Sequence, residues 1–222
     1  MEIAIPVLYE SAEYLAVQKP EGIASIPERL PGAESILQIL QRERGEKLYV
    51  VHRLDKEVSG VLVFARSAEA HRYLNDRFSG RDVRKTYLAV VHGALKAGGG
   101  SIRAPIRQFG SGRMGLDERG KPSETDFDIL EQWSSATLVQ AIPRTGRRHQ
   151  LRVHFYSIGH PVVGDLRYGD RAVQAKYERL MLHALNISFL LPKLGKLMIQ
   201  ADPPPSFLKT CEMLRHSEEA PR

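Results

Sequence analysis

The apolar positions change their period several times along the first 92 residues, and each change marks an element. Val7–Val17 reads as short strands around a turn, ending at Lys19-Pro20-Glu21-Gly22, where Pro and Gly force a bend. Ala33, Ile36, Leu37 and Leu40 recur at i, i+3, i+4 and i+7, so residues 33–44 are predicted helical. Glu34 is expected in its first turn, Arg42 and Arg44 in its last, and Gly45 stops it. Leu48–Val51 reads as a strand, His52–Gly60 as a loop, and Val61–Ala65 as a near-continuously apolar, buried strand. Ser67 is placed to cap a helix through about Phe78, with His71, Leu74 and Phe78 along one side. Arg84–His92 is rich in β-formers and closes at Gly93.

Beyond Gly93 the pattern weakens and then returns. Residues 97–121 are basic and glycine-rich without clear periodicity, which predicts a long excursion or mobile hairpin of the kind that tends to be functional. Strands follow at Glu124–Leu130 and Ala136–Ile142. A helix is expected from about Arg148 to Ser157, with Leu151, His154, Phe155 and Ile158 as its apolar stripe. A further helix is predicted over Arg171–Met181, a strand over Leu185–Leu190, and a last helix after Pro203–Pro205 with Phe207, Leu208, Cys211 and Leu214 inward. Strands and helices mix without regular βαβ alternation. The expected class is α+β with a mixed, mostly antiparallel sheet and flanking helices. Residues 1–216 are expected to form one domain, with room for two lobes, and residues 217–222 a frayed tail.

Composition narrows the function. The 222 residues are 42% hydrophobic and 26% charged, which excludes a mostly disordered or fibrous chain. The lone Cys211 excludes a disulfide framework and any cysteine-based zinc site, and fits a reducing cytoplasm. No apolar run approaches the ~18–20 residues of a membrane helix, and the start MEIAIPVLYE has no secretory pattern. The net charge of +6 is uneven: residues 84–121 carry a local +6, residues 143–171 a local +4, and everything else −4. Two arginine-rich stretches in an otherwise acidic chain point to a polyanion, and so to nucleic acid.

Three clusters could carry chemistry. In His52-Arg53-Leu54-Asp55-Lys56-Glu57-Val58-Ser59-Gly60, an Asp leaves a strand beside basic neighbours. An Asp near Arg is ionised at neutral pH and can attack carbon or take a proton, although a plain loop salt bridge is the commoner arrangement. In Arg144-Thr145-Gly146-Arg147-Arg148-His149-Gln150-Leu151-Arg152-Val153-His154, Arg148 and Arg152 are expected four apart on one helical face, continued by Tyr156. Arginines at a helix start suit a phosphate, and an ordinary amphipathic helix with a basic side reads the same way. Lys85-Thr86-Tyr87 sets an aromatic beside cations, as a stacking platform for an unstacked base requires; a strand Tyr alone is usually core.

Taken in order, these segments resemble the RluA-type pseudouridine synthases. His52–Gly60 is similar to their HRLDxxTSG signature, Lys85–Tyr87 to the next motif, and Gly146–His154 with Ile158–Gly169 to the GRTHQIRVH…GHPIVGDxxYG block. Leu15–Gly22 resembles their VNKPxG segment and Leu182-His183-Ala184 their LHA step. Agreement of several long motifs over residues 7–192 is far more specific than one short pattern. The resemblance implies the pseudouridine synthase catalytic fold with a central RNA-binding cleft, and an isomerase that turns uridine in tRNA or large-subunit rRNA into pseudouridine. It implies no cofactor and no metal. It makes Asp55 the essential carboxylate, Arg152 its charge partner and Tyr87 the ring that stacks on uracil. Arg53, Arg148 and His149 are implied at the substrate, and Leu182 as an aliphatic wall of the pocket. A cytoplasmic monomer without an N-terminal S4-like domain is expected.

Three positions depart from the family pattern: Val58 replaces Thr, Arg148 replaces the Thr of GRTHQ, and Gln18 replaces Asn. Two rivals are set against the isomerase. One is an RNA-binding module that has kept the fold and lost the reaction. The other is a metal hydrolase built from His149, His154, His160, Asp165 and His183, whose spacings match no standard zinc pattern.

Overall fold

A computed structural model describes residues 4–28, 34–96, 98–192 and 194–216. Ala33 and the expected tail at 217–222 lie outside the described residues. In chain order the elements are β1 (Val7–Glu10), β2 (Tyr14–Lys19), α1 (Ile36–Arg44), β3 (Tyr49–Val50), β4 (Ser59–Ala65), α2 (Ala68–Ser79) and β5 (Arg84–His92). They continue with β6 (Gly99–Arg103), β7 (Ile106–Gln108), β8 (Met114–Leu116), β9 (Glu124–Gln132), β10 (Ala136–Pro143), α3 (Gln150–Ser157) and α4 (Arg171–Gln174). The last three are β11 (Leu182–Leu191), β12 (Gly195–Gln200) and α5 (Pro205–His216). The chain divides into two compact units, Met1–Lys85 with His183–Pro203, and Thr86–Leu182 with Pro204–Arg222.

In the first unit, neighbouring strands run β1, β2, β4, β11, β12, with β3 also on β4. All pairs are antiparallel except β4 with β11. Every residue of β4 is buried, which is why its sequence is apolar without alternation from Val61 to Ala65. Alternate residues Val61, Val63 and Ala65 join Tyr14, Leu74, Ile187 and Phe189 in one core. Ser67 caps α2 by accepting the Ala70 N–H, as its position suggested. α1 starts later than expected: Ser35 is its cap, in a reciprocal arrangement with Gln38, and this leaves Glu34 outside the first turn.

The second unit contains β5, β10, β9 and β6 in that order, all antiparallel, with β7 and β8 as a separate hairpin. The segment expected as a long excursion or hairpin holds three short strands among its described residues, two of which, β7 and β8, form a hairpin. Each is too short to show a period, and Ile102, Ile106 and Met114 are its buried anchors. Helix Arg171–Met181 shrinks to α4, because the Met181 backbone pairs with Val163 and Val90 and must be extended. α5 turns Phe207, Thr210, Cys211 and Leu214 inward and leaves Leu208 exposed, so Thr210 takes the place predicted for Leu208. The strand β12 was not predicted; only Ile199 in it is buried, too little to give a pattern. The mixed, mostly antiparallel α+β class stands. Among the described residues no helix is long and apolar enough to cross a membrane.

Candidate active site

Asp55 sits on the loop between β3 and β4, half-buried, on a backbone fixed from both sides. The Ser25 hydroxyl donates to the Leu54 carbonyl at 2.9 Å and accepts the Leu54 N–H at 3.1 Å, while the Leu54 side chain is buried. On the other side, the Lys56 carbonyl accepts the Gly22 N–H at 2.9 Å and the Lys19 ammonium at 3.0 Å. Lys19 also donates to Pro20 O at 2.7 Å and is fully buried. The Asp55 carbonyl closes a turn with the Val58 N–H at 3.1 Å. Val58 is buried, so a methyl in place of the usual Thr hydroxyl leaves the turn intact. Asp55 thus has little backbone freedom, and less is lost when its carboxylate is aimed.

The strand that follows needs Gly60. Its φ is +122°, and a Cβ there would collide with the backbone of Ala184, its partner on the parallel strand. His183 beside it is fully buried, with Nδ1 2.8 Å from the Ser59 hydroxyl and Nε2 2.9 Å from Ala201 O. His52 behind the loop is stacked on Phe78 and accepts the Val63 N–H at Nε2 (3.0 Å). Burial, with Lys85 nearby, pushes its pKa down to about 3.

In the second unit α3 begins at Gln150, not Arg148. His149 adopts a left-handed backbone (φ +55°) and interrupts the helix. Gln150 secures this turn: its side-chain oxygen accepts from Arg147 N–H and the Thr145 hydroxyl, and its amide donates to Glu124 O and the Thr125 hydroxyl. Arg148 and Arg152 consequently do not share a helical face; Arg148 is exposed in the turn and Arg152 is buried. Arg152 grips Asp165 with two parallel bonds of 2.8 Å, and Asp165 Oδ1 also accepts the N–H groups of Arg167 and Tyr168. The Arg152 guanidinium lies 5.3 Å from the Tyr168 ring centre. The Tyr168 hydroxyl accepts the Met114 N–H at 3.2 Å and meets His149 Nδ1 at 2.7 Å.

The remaining candidates lie on other elements. Tyr87 is half-buried on β5 opposite Ala141, and Leu182 is buried at the start of β11. Arg53 is exposed on the Asp55 loop. Much of the basic charge is matched: Arg103 pairs with Glu124, Arg107 and Arg119 with Asp117, and Arg144 with Asp126. Arg53, Arg113, Arg148 and Arg167 are among the described cations without a carboxylate partner and are open to a phosphate, as are Arg84, Arg147 and Arg171. The sequence pattern alone assigns no role to Lys19, Ser25, Gln150 or Tyr168. Their partners lie far away in sequence; the Lys19 and Pro20 pair in the opening segment is the one local sign.

The metal rival finds no support. His154 is buried between the Thr125 and Ser123 hydroxyls, His160 Nδ1 lies 2.7 Å from His92 O, and Asp165 belongs to Arg152. Among the described residues no group of three or more His, Cys, Asp or Glu could hold a metal ion.

Comparison with known proteins agrees with the motifs. Residues 13–157 match a family model described as RNA pseudouridylate synthase. The chain is 38% identical over 224 residues to ribosomal large subunit pseudouridine synthase C of Haemophilus ducreyi, covering 94% of this chain and 68% of that protein. It is 37% identical over 195 residues to the dual-specificity RNA pseudouridine synthase RluA of Vibrio vulnificus, covering 84% and 78%. Among solved structures, human RNA pseudouridylate synthase domain containing 1 is similar at a TM-score of 0.80 and 30% identity, over 92% of this chain and 86% of that one.

Proposed function

We infer the activity from one premise: the chain belongs to the RNA pseudouridylate synthase family. Its reaction is an isomerisation of uridine in RNA. The N1–C1′ bond breaks, the uracil turns, C5 bonds to C1′, and the proton lost from C5 is balanced by one gained at N1. No atom is added or removed overall.

We propose that Asp55 is the essential carboxylate of this reaction, with Arg152 the guanidinium that keeps it charged and Tyr87 the ring stacked on the uracil. Three roles are open to the carboxylate: attack on C1′, addition to C6 of the base, or removal of the 2′ proton. The observation that supports Asp55 is its backbone, held at Leu54 by Ser25 and at Lys56 by Lys19 and Gly22, a restraint that a loop making only a surface salt bridge does not need. Arg152 is comparably immobile in its grip on Asp165. The uridine must leave its stack to react, which costs a few kcal/mol and is cheapest in unpaired RNA. Arg53 and Arg148 are the proposed phosphate contacts that offset this, His149 a substrate contact, and Leu182 an aliphatic wall. Arg148, where relatives have Thr, adds a cation and is a candidate for RNA choice.

Relatives are named for large-subunit rRNA and for dual RNA specificity. We propose rRNA or tRNA as the substrate, modified by a cytoplasmic monomer. Carbodiimide–primer-extension mapping of total RNA from cells with and without the gene identifies the site. The decisive variant is Asp55→Asn, which removes the charge and keeps the shape: pseudouridine formation is lost while RNA affinity in a gel shift is retained. Isomerase activity in that variant overturns the assignment.

A further inference from the structure

The β7–β8 hairpin and α3 border an open pocket of about 540 Å3 whose walls are mostly apolar. That volume lies within the range of small-molecule sites, about 300–1,000 Å3. Phe109, Leu116 and Tyr156 line it and remain 43%, 41% and 47% exposed. Tyr168, buried beneath, also lines it. The hairpin is shaped around the Phe109 ring: Gly115 has no side chain, and a Cβ there would stand 2.9 Å from that ring. The turn is closed by Phe109 N–H to Arg113 O at 2.9 Å and Gly112 N–H to Phe109 O at 2.8 Å.

One cation, Arg113, lines the same pocket, and a second, Arg167, holds the turn of the hairpin beside it. The Arg113 guanidinium lies 5.2 Å from the Tyr168 ring centre and 5.8 Å from that of Tyr156. Arg167 reaches the Gly112 carbonyl at 3.1 Å. Neither has a carboxylate partner among the described residues, in contrast to Arg107 and Arg119, which share Asp117. An occupant should therefore present a flat apolar face to the rings and negative charge to the guanidinium groups. An apolar peptide leaves the cations unmatched, and a bare phosphate leaves the rings uncovered. A nucleotide with its base unstacked meets both demands.

We propose that this pocket receives a nucleobase of the substrate RNA other than the uridine being isomerised, with the adjoining phosphate on Arg113 and Arg167. The proposal rests on the RNA isomerase reading and extends it to a second base-binding site. Sequence preference around the modified uridine would then depend in part on this hairpin.

The test uses the full chain and a mixed-sequence single-stranded 12-nucleotide RNA carrying one 2-aminopurine, placed at each position in turn. At one or two positions wild-type protein quenches the fluorophore by stacking. One stacked base contributes about 1–3 kcal/mol, so Phe109→Ala with Tyr156→Ala should weaken binding roughly tenfold or more and abolish that quenching. Tyr156→Phe, which keeps the ring, retains both signals and controls for folding. Arg113→Gln lowers the slope of log affinity against log salt by about one. Unchanged affinity and quenching in the double variant overturns the proposal, as does tight competition by an apolar peptide with none by RNA. Pseudouridine formation by wild-type protein on RNA from cells lacking the gene is measured in parallel. If it is present while the double variant binds as wild type, the pocket proposal fails alone; if it is absent while quenching behaves as expected, only the isomerase reading fails.

Discussion

Replacing Asp165 by Asn changes one atom type at the centre of the second unit. The wild-type carboxylate takes two 2.8 Å bonds from Arg152 and two backbone N–H groups, and both side chains are almost wholly buried. An Asn oxygen can keep the two backbone bonds, but its NH2 must then face the Arg152 Nε–H, donor against donor. Removing one partner of a buried pair costs about 3–5 kcal/mol, because the remaining charge stays desolvated. With a urea slope on the order of 2 kcal/mol/M, the unfolding midpoint should fall by roughly 2 M. Pseudouridine formation should fall further than stability explains, since Arg152 is no longer held in one place; assays at low urea, where both proteins are folded, separate the two effects. The double variant Asp165→Leu with Arg152→Met replaces the pair by apolar groups and should recover most of the stability while remaining inactive. A loss below about 1 kcal/mol for Asp165→Asn would refute the view that this pair is a buried, mutually dependent unit.

Three further outcomes follow from the same structure. Tyr87→Phe should keep stacking and retain more isomerase activity than Tyr87→Leu; equal loss in steady-state assays removes the stacking role. His52, neutral with a pKa pushed down to about 3, stabilises the fold fully above the unfolded value near 6.5 and loses that contribution as pH falls toward 3. Its share of the slope is at most about 1.4 kcal/mol per pH unit, so urea midpoints at pH 7, 5 and 4 should fall less steeply in His52→Gln than in wild type. Identical pH dependence in the two proteins would contradict the buried neutral ring. RNA affinity should drop steeply with added salt, and Arg148→Thr should make the decline shallower by about one in slope; a flat salt titration of wild type rules out the phosphate contacts.

Elements with a local signature were legible from the chain. The Ser67 cap and the Leu74 face define α2, the unbroken apolar run defines β4, and β5, β9 and β10 declare themselves by β-formers bounded by turns. Where the structure departs from the local pattern, a distant partner outweighs it. Helical spacing put Arg148 beside Arg152, but Gln150 bonds to Glu124 and Thr125 and fixes a turn in which His149 is left-handed. The Arg171–Met181 helix stops early because residue 181 pairs with Val90 and Val163.

By itself the sequence determined the class of fold and the family, because periodicity, turn residues and long motifs are properties of neighbours along the chain. Tertiary structure alone decided that Lys19 is buried to hold the Lys56 carbonyl, that Arg152 is gripped by Asp165, and that the basic stretch 98–121 holds three strands beside a pocket of exposed rings. Burial of a charge is unfavourable unless its partners are in place, and beyond the adjacent Pro20 carbonyl those partners stand 37 residues from Lys19 and 13 from Arg152. No window of sequence contains that balance; it exists only once the chain has brought the groups together.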